Sequence, residues 1–132
     1  MPAFSDVLAY AALSLGRLML GGYFVASGLR HLAMRDRIAA DLAARGMPQP
    51  MGLAMAAAGV QILLGALLGL GLMVTLPALL LALFTGGVSA GMLNFWTMAE
   101  PERGAAQAAF LGNVAVIGGL VLAAATPWVR FG

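Results

Sequence analysis

A chain of 132 residues that is 62% hydrophobic and only 9% charged, with mean hydropathy +0.97, is too apolar for a soluble domain of its size. Such a domain is nearer half apolar and a quarter charged, and its surface could not hide the excess. The net charge of +2 comes from seven arginines against five acids with no basic run, which excludes a nucleic-acid footprint, and the lack of cysteine excludes thiolate metal sites and iron–sulfur ligation.

The composition predicts an all-α integral membrane protein organised as one membrane domain over residues 1–132: an antiparallel four-transmembrane-helix bundle with a short interfacial helix between helices 1 and 2. The first apolar run, 7–29, is too long for a signal-peptide core and follows Asp6 rather than a basic stretch, so it is expected to remain as a membrane helix. Next comes "RHLAMRDRIAADLAARGMPQP", residues 30–50. Met34, Ile38 and Leu42 recur every four residues there, and Arg37–Asp41 and Asp41–Arg45 are spaced as i,i+4 pairs. Gly46 and Pro48 read as a stop, so a helix over about 31–46 is predicted in the membrane interface.

Segments 51–70, 73–95 and 107–127 also meet the length of about 20 apolar residues needed to cross the hydrocarbon core. The first of these is rich in Ala and Gly and inserts weakly on its own, which points to packing against other helices. Gly65-xxx-Gly69 and Gly87-xxx-Gly91 carry the small-xxx-small pattern of close helix approach. Pro77 falls in the opening turns of the third span, where a kink is mild, and Trp96 and Trp128 close the third and fourth spans as interfacial anchors.

Most of the arginines flank or occupy residues 30–50, and Arg103 lies in the loop on the same face. The positive-inside rule therefore expects both loops in the cytoplasm and both termini outside.

Arg17 is the main functional question. A permanent charge inside a span costs about 2.5–3.5 kcal/mol on insertion scales and needs partners inside the bundle. None of the four apolar segments holds Asp or Glu; their strongly polar side chains include Gln61, Asn94 and Asn113. Counting about 1.5 Å per residue puts Arg17 and Gln61 near the midplane and Asn113 within reach, so an Arg–Gln–Asn cluster is geometrically allowed. Either the amides satisfy the guanidinium and glue the helices, or an outside acceptor completes the site. A quinone carbonyl, a carboxylate or a lipid phosphate suits the arginine fork.

His31 reads as an interfacial polar residue, and a single histidine excludes bis-His haem. Glu100, Glu102 and Arg103 read as a solvated loop. No nucleophile–base pair, phosphate loop or metal-ligand spacing appears, and no metal site is expected.

"GRLMLGGYFVASGLRHL", the turn "RGMPQP", "AAAGVQILLGALLGLG" and "FLGNVAVIGGLVLAA", taken in order, resemble the DoxX family of small four-helix membrane proteins over about 120 residues. The family takes its name from a membrane subunit associated with a thiosulfate:quinone oxidoreductase; other members are linked to membrane redox complexes or have no assigned activity. Carried over by position, the resemblance marks Arg17, Gly21, Gly28, Gln61, Gly65, Asn113 and Gly119. There are departures. Gln61 stands where the family often has Glu, Arg30 and His31 where it often has Lys, and Asn94 near where it often has His. Losing the Glu removes the natural ion-pair partner of Arg17.

The resemblance implies a multi-pass protein of the bacterial inner (cytoplasmic) membrane. The expected function is an accessory or anchor subunit of a larger complex, redox-linked, with a quinone or lipid near Arg17, Gln61, Asn113 and Asn94, no covalently bound cofactor and no catalysis alone. Membrane lipids, protein partners or a homo-oligomer are the expected partners. The alternatives are an oligomeric transporter of small anions or solutes, and a purely structural assembly protein.

Overall fold

A computed structural model describes residues 3–129. Five α-helices run in order: α1 (Phe4–Ala33), α2 (Arg35–Ala44), α3 (Pro50–Leu70), α4 (Thr75–Met92) and α5 (Glu102–Ala125). Short 3-10 turns, Phe95–Thr97 and Thr126–Trp128, follow α4 and α5. Four helical segments are long and apolar enough to cross a membrane: Phe4–Ala33, Pro50–Leu70, Thr75–Thr97 and Glu102–Trp128.

The helices differ from the apolar runs for local reasons. α1 overruns residues 7–29 at both ends because neither Gly nor Pro stops it, and backbone hydrogen bonding continues past the last apolar residue. The helix predicted over 31–46 is present as Arg35–Ala44; residues 31–33 belong instead to α1, which ends at a one-residue break at Met34. α2 and α3 stop in the same way. Gly46 and Gly71 adopt φ of 77° and 70°. Around them, Met47 N–H donates to Leu42 O and Leu72 N–H to Leu67 O, while the Gly46 and Gly71 N–H groups donate to Ala43 O and Leu68 O. These paired bonds satisfy carbonyls that a helix end otherwise leaves open. Pro50 and Pro77 sit among the first three residues of α3 and α4, where no intrahelical N–H bond is lost.

The chain forms two compact units, one of Ser14–Leu72 and the other of residues up to Leu13 together with Met73 onward. In the first, Gly21, Phe24 and Gly28 form the buried face of α1, and Ala54, Ala58, Gln61, Gly65 and Leu68 that of α3. Steps of three and four keep each set on one side of its helix. Contacts descend α3 as they ascend α1: Gly21 meets Gly65 and Gly69, and Gly28 meets Ala58, Gln61 and Ile62, so this pair runs antiparallel.

The approach at Gly21 is backbone to backbone. A Cβ there would clash with Gly65 O and lie 2.5 Å from the Cα of Gly69, so no larger residue fits without separating the helices. α2 lies on α3 with Ala39 buried and Ile38 and Leu42 half-buried. Its apolar stripe therefore covers the protein's own α3. Asp41 pairs with Arg45 along its edge at 3.7 Å.

In the second unit α4 and α5 pair antiparallel. Thr75 Oγ1 donates to Ala124 O at 2.8 Å, and Asn113 Nδ2 donates to Ser89 Oγ at 2.9 Å. Pro77, Ala78, Leu81, Thr85 and Ser89 line the buried side of α4, with Ala106, Leu120, Ala123 and Ala124 on α5. Gly87 and Gly91 are a correction to the predicted packing. A Cβ at either would meet open space, and the nearer approach is at Gly86, whose Cβ would lie 3.9 Å from Ile117 Cδ1. A small-xxx-small pattern marks a face that can pack closely, and the neighbouring face of α4 is the one used.

Candidate functional site

Arg17 projects from α1 toward the end of α3. Its backbone carbonyl lies at the level of Gly69, and its guanidinium lies against Gly71, the left-handed residue that closes α3. An ideal Cβ on Gly71 would sit 3.0 Å from Nη2 and 3.3 Å from both Cζ and Nε, so the guanidinium occupies the space that a side chain at residue 71 would take. The Nε is buried and has no hydrogen-bond partner. The C-terminal end of a helix carries a partial charge of about −0.5, which favours a cation beside it.

Gln61 is elsewhere. Its Nε2 lies 2.9 Å from His31 Nδ1 and also donates to its own helix at Ala57 O, 3.3 Å. An amide nitrogen only donates, so with the amide so oriented the imidazole nitrogen accepts and a neutral His31 carries its proton on Nε2. Along α3, Gln61 and Gly71 are ten residues apart, about 15 Å. In place of the Arg17–Gln61 meeting that counting depth allowed, the two residues make separate contacts. Depth counted from each helix's own centre fails because α1 and α3 are paired off-centre: residue 28 of α1, near its end, faces the middle of α3.

The other two amides lie in the second unit. Asn113 is half-buried on α5 with its Nδ2 on Ser89. Asn94 leaves α4 and its Nδ2 bonds Thr97 Oγ1 at 2.9 Å, while Thr97 Oγ1 donates back to Asn94 O at 3.0 Å, closing the 3-10 turn. Asn94 Oδ1 and Thr85 Oγ1 are buried without partners. The turn carries Phe95 and Trp96, which meet Phe110 of α5 edge-on, with centroids 5.5 and 5.9 Å away. Of the glycines singled out for packing, Gly21, Gly28, Gly65 and Gly69 line the α1–α3 contact, and Gly119 is half-buried on α5.

His31 is the polar residue that the sequence undervalued. The spacing 21, 24, 28, 31 continues the buried face of α1, and that periodicity was the available signal. Thr75 is a second: Trp128 Nε1 donates to its Oγ1 at 3.1 Å while the same hydroxyl donates to Ala124 O, so the exposed Trp128 is tied to the start of α4. Among the described residues, no group of three or more His, Asp or Glu is placed to hold a metal ion.

The family model described as DoxX matches residues 12–92, more than half of the chain. The match takes in Arg17, His31, Gln61 and Gly71 and ends at the last residue of α4, so Asn94, Asn113, Gly119 and the whole of α5 lie beyond it. No curated protein and no solved structure matches the chain.

Proposed function

From the premise that the chain belongs to the DoxX family of membrane proteins, we propose that it serves as a membrane-embedded accessory or anchor subunit of a larger complex, with Arg17 as the place where an outside oxygen acceptor binds. One observation carries this reading: the amide nitrogen of each candidate amide engages a neighbour in its own unit, whereas Arg17 carries a full charge and its buried Nε has no hydrogen-bond partner. Amide and hydroxyl bonds that tie helices to one another suit a scaffold. A guanidinium in an apolar span without Asp or Glu needs an acceptor from outside its own side chains. A redox link would come through the partner, since the chain brings no cysteine and one histidine.

In this reading α2 lies at the cytoplasmic surface, docked on α3 by Ile38, Ala39 and Leu42, with Arg35 and Arg37 outward. The native chain has no cysteine, so single-cysteine labelling reads topology without background. Ala40→Cys should react with an impermeant maleimide only when the cytoplasmic face is open.

The central test is gentle extraction followed by mass spectrometry of copurifying proteins. A stoichiometric partner bearing a redox cofactor supports the accessory role. A homo-oligomer without a partner that moves small anions across proteoliposomes overturns it in favour of transport.

A further inference from the structure

We infer that the acceptor at Arg17 is the phosphodiester headgroup of an anionic membrane lipid. This rests on the reading of Arg17 as a ligand site and names the chemical class of its ligand.

The first argument is charge balance. The helix end beside the guanidinium offers about half of a negative charge against a full positive one. No Asp or Glu lies in the apolar segments 7–29 and 51–70 to supply the rest. A quinone carbonyl is neutral and would leave that excess uncompensated in a medium that penalises it, whereas a phosphodiester brings one negative charge.

The second argument is geometry. The guanidinium lies beside Gly71, and its buried Nε–H has no partner there, so its hydrogen bonding is incomplete until an acceptor is brought to it. Edge-on pairing of two N–H groups with two oxygens is the arginine–phosphate mode. Without a Cβ at residue 71, the planar group has room beside the helix cap.

The third argument is level. α3 has 21 residues and rises about 32 Å, close to the hydrocarbon thickness, and Arg17 meets it at its terminal cap. A headgroup has to reach the end of this helix, not its middle.

The test is native mass spectrometry of the full-length protein. It is reconstituted in nanodiscs containing phosphatidylglycerol, phosphatidylcholine and a short-chain ubiquinone, then released under graded activation. The native chain should retain one phosphatidylglycerol in preference to phosphatidylcholine. Arg17→Gln should lower that retention by roughly 10- to 100-fold, the loss expected for a bidentate charge-assisted contact. Arg17→Lys, which keeps the charge but not the fork, should retain phosphatidylglycerol at an intermediate level and guards against a misfolded Gln variant. Arg17-dependent retention of the quinone with no preference for phosphatidylglycerol overturns this inference but leaves Arg17 as a ligand site. Retention of neither, or phosphatidylglycerol retention equal in all three chains, overturns both.

Discussion

Gln61 and His31 are joined across α1 and α3 by a 2.9 Å contact between an amide nitrogen and an imidazole nitrogen. Gln61 is 3% exposed, so its amide has no ready recourse to water, and both of its N–H groups are engaged within the protein. The contact reinforces the helix pair where Gly28 has already brought the two backbones together.

The two residues should therefore be energetically coupled. His31→Ala and Gln61→Ala should each destabilise the protein, with a coupling of about 0.5–2 kcal/mol in a double-mutant cycle. Denaturant titration of the four chains in one detergent measures it. Strict additivity would mean that the contact contributes nothing in solution.

Gly71 and Gly46 provide a controlled comparison. Both have positive φ, but only Gly71 has a neighbour within 4 Å of an added Cβ, the Arg17 guanidinium. Gly46→Ala should cost about 1 kcal/mol from backbone conformation alone. Gly71→Ala should cost more, and the excess should shrink when Arg17 is changed to Ala. Equal melting shifts for the two alanine variants would contradict the contact.

The α1–α3 approach depends on Gly21 in a way that α4 does not depend on Gly87. Gly21→Val places a side chain into the backbone of Gly65 and Gly69 and should cost at least about 2 kcal/mol or unfold the protein. Gly87→Val meets open space and should change stability by less than about 1 kcal/mol. Thermal unfolding followed by circular dichroism would rank them, and the reverse order would falsify the packing described.

Thr75 accepts from Trp128 and donates to Ala124, so Thr75→Val removes two hydrogen bonds while nearly conserving volume. The expected loss is about 1–2 kcal/mol. Trp128 can be read by fluorescence in a Trp96→Phe background. Its emission should shift and its quenching by acrylamide should rise once the indole N–H is released; an unchanged spectrum would place the indole elsewhere.

The apolar runs, their number and order, and the helix stop at Gly46 were legible in the sequence. Each is a property of length, hydrophobicity or local backbone chemistry. The spacing 21, 24, 28 of the buried face of α1 is present in the sequence too, and one more step of three reaches His31, whose polarity alone suggests an interfacial position.

Which polar side chains meet was a different matter. Sequence counting refers each residue to the centre of its own helix, and that puts Arg17 level with Gln61. Side chains meet according to the offset between helices, and that offset follows from where two backbones can touch. The Gly21 contact with Gly65 and Gly69 sets it here, sending Arg17 to the cap at Gly71 and Gln61 to His31. Small-residue patterns announce that such contacts are available, but Gly87 and Gly91 look the same as Gly65 and Gly69 in sequence and leave open space. The choice between equivalent faces rests on the fit of whole helices, and only the folded chain contains that information.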